Sequence, residues 1–208
     1  MTERSVKTAR RTRADGDRTR QLILDTAVRL ATVEGLDGLS IGKLANATAV
    51  SKSGVYAHFD SKQDLQLATV DNARKLFVDV VVVPSLRAEG LERLTALCEM
   101  FLSYVEQRTL PGGCFFAAAA SELGGRAGPL RELVASNQRD WIGLLSAAAS
   151  QALTNQQLRS DTDVEGLVFE LNAIVVSANT GFILHDDPVI ISRARSAIER
   201  VLDAAKSA

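Results

Sequence analysis

Apolar residues recur every three or four positions along most of this 208-residue chain, and nowhere do they alternate with polar ones long enough to build a sheet. That spacing lays one apolar stripe along a helix, so the chain is expected to be all-α. The pattern starts at Asp17, runs through Leu22, Ile23, Ala27, Leu30 and Ala31, and stops at Gly35. Ser40 is placed to cap a short helix carrying Ile41, Leu44 and Ala45 on one face, and Ser51 to cap a second that reaches about Ala57. Asp60 or Ser61 opens a long helix with Leu65, Leu67, Ala68, Ala73, Leu76 and Phe77. Its end is expected near Val83, because Pro84 disfavours helix at the residue before it. Val80 to Val83 have strand propensity, but they continue a helical pattern and have no partner strand. Further helices are expected at about 89–107, 113–123, 128–155, 162–184 and 188–205, with Asp187 capping the last. The expected architecture is a three-helix head followed by a bundle of about six longer helices.

Charge divides the chain where the helix lengths do. Residues 1–62 hold 11 Lys/Arg against 7 Asp/Glu, a balance of +4, whereas residues 63–208 balance at −5. Much of the basic excess comes early, in Arg4, Lys7, Arg10, Arg11, Arg13, Arg18 and Arg20. A basic arm on a small basic domain suits a polyanion; a merely solubilising tail is the alternative. The expected division is a basic flexible arm at 1–16, a small helical domain at 17–62 and a larger helical domain at 63–208. Two cysteines, Cys98 and Cys114, are too few for a disulfide framework. With no run of about 18 apolar residues and no secretory signal, no membrane association and a cytoplasmic location are expected.

The segment Ser40 to Phe59 reads as two short helices crossed around a tight turn, with Leu44, Ala45, Val50 and Val55 as its small core. Ser51 starts the second helix, so its free N–H groups and positive dipole end can face a phosphate. Lys52 and Ser53 project from the first turn, where a recognition helix reaches base edges, and Gly54 lets the backbone approach DNA. Tyr56 and His58 can donate to phosphates, while Phe59 anchors the segment inward. Similar spacing also occurs in helical hairpins that bind no DNA.

Read together, these residues resemble the TetR family of transcriptional regulators. The likeness is carried by Arg20-Gln21-Leu22-Ile23-Leu24-Asp25-Thr26-Ala27, Glu34-Gly35-Leu36-Asp37-Gly38-Leu39-Ser40-Ile41, Leu44-Ala45, Val50 to Phe59, and Ser61-Lys62-Gln63-Asp64-Leu65. The resemblance implies that Ser40 touches the DNA backbone, that Lys52, Ser53 and Gly54 face the major groove, and that Tyr56, His58 and Lys62 hold phosphates. Arg18 and Arg20 would add affinity through counterion release. One departure is Ala49, where the family usually has glycine in the turn. The segment Gly112 to Glu122, with Gly128-Pro129-Leu130-Arg131 after it, looks like a recurrent TetR C-terminal type.

The resemblance also implies a homodimer on palindromic operator DNA, repression as the default, and release by a small molecule bound in the bundle. Phe77, Phe101, Tyr104, Phe115, Phe116, Trp141 and Asn172 are the candidate pocket groups, each with ordinary core as the alternative. Few charges fall on inward faces, so the effector is expected to be largely apolar. The last two helices carry stripes of Leu171, Ile174, Val175, Ala178, Gly181 and Phe182, and of Ala194, Ile198 and Val201, expected at the dimer interface. Neither cysteine has a pattern beyond that of a small buried hydrophobe. No metal-ligand spacing, phosphate loop or nucleophile elbow is present, so neither an enzyme nor a cofactor is expected. A helical ligand carrier or adaptor without sequence-specific DNA binding is the rival, but it leaves the basic arm and Lys52-Ser53-Gly54 unexplained.

Overall fold

A computed structural model describes residues 3–207, with side chains from Ala14 onward. Nine helices succeed one another among the described residues: α1 (Glu3–Glu34), α2 (Ile41–Thr48), α3 (Lys52–Tyr56), α4 (Lys62–Phe77), α5 (Gly90–Glu106), α6 (Phe115–Leu123), α7 (Pro129–Thr154), α8 (Val164–His185) and α9 (Val189–Ala205). The first three and the start of α4 form the head; α5 to α9 form the bundle.

Serine side chains open three of the first four helices, as their small oxygen-bearing tips allow. Ser40 Oγ accepts from Lys43 N at 3.3 Å, Ser51 Oγ from Gly54 N at 3.0 Å and Ser61 Oγ from Asp64 N at 3.0 Å. Asp163 does the same for α8, accepting from Gly166 N at 3.1 Å. At α9, Pro188 holds the capping position and Asp187 Oδ1 accepts from Val189 N at 2.9 Å.

Two expectations about helix ends change. The backbone of α1 is helical from Glu3, so most of the expected flexible arm is a continuation of the first helix. Its Arg, Lys and Ala residues are good helix formers, and extending an existing helix avoids the cost of nucleation. Met1, Thr2 and the arm's side chains up to Arg13 lie outside the described residues. At the other boundary, helical backbone continues beyond Phe77, the end of α4, and passes through Pro84. It widens into a π turn over Val78–Val82 and closes with one turn at Val83–Ser85. Val83 N reaches back to Val78 O, five residues away, and this wider turn gives the proline ring room that an α turn denies it.

Phe77, at the end of α4, sits where the bundle helices converge. The rings of Phe101, Tyr104, Phe116 and Trp141 stand 5.4–6.1 Å from it, all near perpendicular, so edges meet faces. The buried residues run without a break from Ile23 in α1 to Ala205 in α9, joining head and bundle through α4. By length and a mean hydropathy of 1.7, α8 is apolar enough to cross a membrane. Here it packs Leu167, Val168, Leu171, Val175, Ala178 and Phe182 into the core. Arg195 on α9 meets Glu99 and Glu106 of α5 at 2.7 Å each, and holds the Glu99 carboxyl below the usual carboxylate range.

The turn between α2 and α3 places Ala49 in the left-handed region, at φ 56° and ψ 19°. A Cβ there costs about 1–2 kcal/mol, while glycine costs about 0.4–1 kcal/mol through greater freedom in the unfolded chain. Strain outweighs that freedom, so Ala49→Gly should stabilise the protein by about 0.5–1 kcal/mol. Thermal unfolding checks this, and an unchanged or lowered midpoint would count against strain in the turn.

Candidate nucleic-acid interface and effector cavity

The head's small core forms as its spacing requires. Leu44 and Val55 are fully buried, Ala45 and Phe59 nearly so, and Val50 half-buried. With those side chains inward, the opposite face of α3 is open: Ser51, Lys52, Ser53 and Tyr56 are exposed. Gly54 has a structural reason as well as room for DNA. A Cβ at this position would lie 2.8 Å from Val50 Cγ1, so the turn cannot close around a larger residue without shifting.

A groove of about 370 Å³ runs between α2, α3 and the start of α4. Leu39, Ile41, Gly42 and Leu65 form its floor, and Ser40, Lys52, Tyr56 and Lys62 line the same space. Two ammonium groups, a phenol and a helix cap thus converge on one exposed face. Lys62 Nζ donates to Asp37 O at 2.6 Å, which anchors this lysine to the turn between α1 and α2 and leaves two N–H groups for another acceptor.

That turn is held from the bundle. Glu122, the last charged residue of α6, accepts from Leu36 N at 2.7 Å through one carboxylate oxygen and from Asp37 N at 2.8 Å through the other. Gly35 permits this approach: its φ is +78°, and a Cβ there would stand 2.9 Å from the Glu122 carboxylate. Gln66 of α4, itself buried, donates to Leu36 O at 3.0 Å. Arg126 pairs with the Asp37 carboxylate and holds it below the usual carboxylate range.

A second cavity, of about 770 Å³, opens among α4, α6, α7 and α8. Phe77, Phe101, Phe116, Trp141 and Asn172 line it, joined by Val78 and Val82 of the π turn, by Ala117, Ala120 and Ser121 of α6, and by Asn137. Among its charged lining residues, Arg74 of α4 pairs with Asp140 of α7 at 2.8 Å; both side chains are about half exposed. Cys114 also lines the cavity; burial pushes its thiol up to about 11, and that of Cys98 up to about 12. Both stay protonated near neutral pH and behave as small apolar side chains.

Residues 90–198 match the sequence family described as "Tetracyclin repressor-like, C-terminal domain", and residues 23–69 match "Bacterial regulatory proteins, tetR family". The chain belongs to the TetR family of transcriptional regulators. It is similar to the HTH-type transcriptional regulator AcrR of Shigella flexneri, with 42% identity over 57 residues, 27% of this chain and 26% of that protein. Its matches to the first curated relatives thus span only about a quarter to a third of their length. A TetR transcriptional regulator from Chloroflexus aurantiacus shares its fold over 93% of this chain and 98% of that one, with a TM-score of 0.86 and 24% identity. The structure of AibR in complex with isovaleryl coenzyme A and operator DNA covers 88% of this chain and 96% of that one, at a TM-score of 0.68 and 22% identity.

Within this TetR-family fold, the positions named from sequence separate into three groups. Ser40, Lys52, Tyr56 and Lys62 share the groove, Ser51 and Ser53 are exposed beside it, and His58 is half-buried with its ring edge-on to Phe59. Arg20 does not join them, since its guanidinium stacks 5.2 Å over the Phe59 ring; Arg18 lies 3.9 Å from Asp15. Of the seven pocket candidates, five line the cavity. Tyr104 and Phe115 are absent from its wall and pack in the core, where burial raises the Tyr104 phenol.

Most of the expected dimer stripe is covered within the chain itself. Leu171, Val175, Ala178, Phe182, Ala194 and Ile198 are buried within the chain, and Ile174, Gly181 and Val201 are partly buried. The stripe faces the neighbouring bundle helices, so the apolar face left open on α8 is its opposite side. Phe169 is 74% exposed and Leu184 72%, with Ala173 and Thr180 between them at helical spacing; Val176, on the same side, also borders the cavity. Composition hides this, because a helix apolar on both sides does not say which side its own chain covers.

Sequence alone points to no role for Asn137 or Glu122. The signal for Asn137 is its register: it lies between Val134 and Trp141 on the inward stripe of α7, where a polar residue needs a reason. Glu122 leaves no such trace, because its partners are backbone groups 85 and 86 positions away. Glu122→Gln puts an amide NH2 against one of two backbone donors and should cost about 1–3 kcal/mol. Faster hydrogen exchange at Leu36 and Asp37 is expected with the rest of the head protected, and unchanged exchange would argue against the clamp.

Proposed function

We propose that this chain is a ligand-responsive transcriptional repressor that binds palindromic operator DNA as a homodimer and is released when a small molecule enters the bundle cavity. The observation that carries this reading is the groove that gathers Ser40, Lys52, Tyr56 and Lys62 on an exposed face of the head. Lys52, Ser53 and Gly54 enter the major groove, Ser51 opens the recognition helix toward a phosphate, and Tyr56, His58 and Lys62 hold the backbone. Arg18 adds positive charge; Arg20 supports Phe59. The complex of a fold relative with operator DNA and an acyl coenzyme A is consistent with both sites acting in one chain. Such a regulator works in the cytoplasm and needs no catalytic group.

The open face of α8, with Phe169, Ala173, Val176, Thr180 and Leu184, pairs with the same face of a second copy. That pairing sets two recognition helices about 34–36 Å apart, or a simple multiple, on successive major grooves. Two routes connect the cavity to the head. One is α4, which begins at Lys62 beside the groove and ends at Phe77 in the cavity wall. The other is α6, whose Phe116, Ala117, Ala120 and Ser121 line the cavity just before Glu122 grips the turn below α1. A ligand that favours one placement of these helices shifts the head spacing, and its differential affinity sets the size of the effect.

Fluorescence anisotropy on duplexes from the chain's own upstream region tests the DNA face. Lys52→Ala is expected to weaken binding about tenfold or more, and Lys62→Ala, which removes a phosphate contact, to lower the slope of log affinity against log salt by about 0.9. Full operator binding after loss of Lys52, Tyr56 and Lys62 together would refute this placement. The assembly is tested by light scattering: the wild type should run at twice the chain mass, and Phe169→Glu with Leu184→Glu at one chain mass with its helicity intact. A double variant that stays dimeric would locate the interface elsewhere.

A further inference from the structure

We infer that the bundle cavity selects an uncharged amphipath whose polar end both donates and accepts a hydrogen bond, a carboxamide being the simplest case; this rests on the cavity being the effector site. The argument starts from two asparagines whose amide orientations are fixed by their partners. Asn137 is 8% exposed and lines the cavity. One amide atom lies 2.8 Å from Leu133 O, and a carbonyl oxygen only accepts, so this atom is the Asn137 nitrogen. The Asn137 oxygen is left over, and no described residue donates to it. It is not among the described buried side-chain atoms sealed without a partner, which are Arg93 Nε and Thr162 Oγ1, so it keeps some open surface, and its residue borders the cavity.

Asn172 is fixed by the opposite chemistry. Trp141 Nε1 only donates, so the Asn172 atom 3.0 Å from it is the oxygen, and no described residue accepts from the Asn172 NH2. The cavity wall therefore holds one oriented acceptor on α7 and one oriented donor on α8, in surroundings dominated by Phe77, Phe101, Phe116 and Trp141. A carboxamide answers both: its N–H donates to Asn137 Oδ1 and its carbonyl accepts from Asn172 Nδ2. A carboxylate leaves the Asn137 oxygen facing another acceptor, and a quaternary ammonium leaves the Asn172 donor unmatched. The first mismatch sets two acceptors against each other at buried Asn137, and the second leaves the half-buried Asn172 donor without a partner in the ligand. The charged groups on the lining do not reverse this, because Arg74 and Asp140 already neutralise each other and Arg139 is exposed.

Trp141 is the chain's sole tryptophan and sits in the cavity wall, so its fluorescence reports occupancy. Titration of the full-length protein with octanamide, octanoate and octyltrimethylammonium should give an apparent Kd for octanamide at least tenfold below those of the two ions. By calorimetry, Asn137→Ala and Asn172→Asp should each weaken octanamide about tenfold; aspartate keeps an oxygen for Trp141 and removes the donor. Circular dichroism of both variants checks that they fold, and Asn137→Leu serves as a volume-keeping replacement if alanine does not. Equal affinity for the three head groups, absence of octanamide binding, or octanamide affinity unchanged in both variants would overturn the inference. Octanamide binding with no effect on operator affinity would leave the head-group selection intact and sink the effector reading instead.

Discussion

The turn between α1 and α2 leaves backbone groups that neither helix can satisfy, and the arrangement of the whole chain follows from who satisfies them. Glu122 takes two N–H groups, Gln66 meets the Leu36 carbonyl and Lys62 the Asp37 carbonyl. These partners come from α6 and α4, so the head cannot tilt on the bundle without breaking charge-assisted hydrogen bonds. Gly35 makes the site possible by turning left-handed with no side chain in the way of the carboxylate. The same clamp therefore fixes the head, and couples it to two helices that line the cavity.

Phe77 plays the corresponding part inside the bundle. Its four aromatic neighbours meet it edge to face, the arrangement that ring quadrupoles favour. The π turn that follows opens the helix just where Val78 and Val82 face the cavity. The widened turn before Pro84 thus supplies two apolar side chains to the cavity wall. The cavity is apolar because aromatic and branched residues supply its wall, and selective because two asparagines are held in single orientations.

Much of the head is legible in the sequence. Ser40 and Ser51 are local signals, since a cap needs only its own helix, and the structure finds both in place; of Asp60 and Ser61, it is Ser61 that caps. The apolar spacing around Leu44, Val55 and Phe59 is likewise a short-range code, and it leaves Lys52 and Tyr56 outside. Legibility falls with sequence separation. The helix that starts at Lys62 runs past its expected end because Pro84 forbids an α turn but not a wider one. Tyr104 and Phe115 cannot be told from Phe101 and Phe116, because an inward aromatic faces either the core or a void, and composition does not distinguish them. Arg20 carries the right charge for DNA, but Phe59 offers it a ring.

By itself, the sequence determined the helices, their caps, the family and the exposed basic face of α3. These depend on periodicity and on side chains acting within a turn or two of themselves. Tertiary structure alone decided which apolar side of α8 the chain covers, which residues border the cavity, and that Glu122 grips a turn more than eighty positions away. Such choices depend on which helices become neighbours, and hydrophobic spacing says only that a face must be covered, not by what.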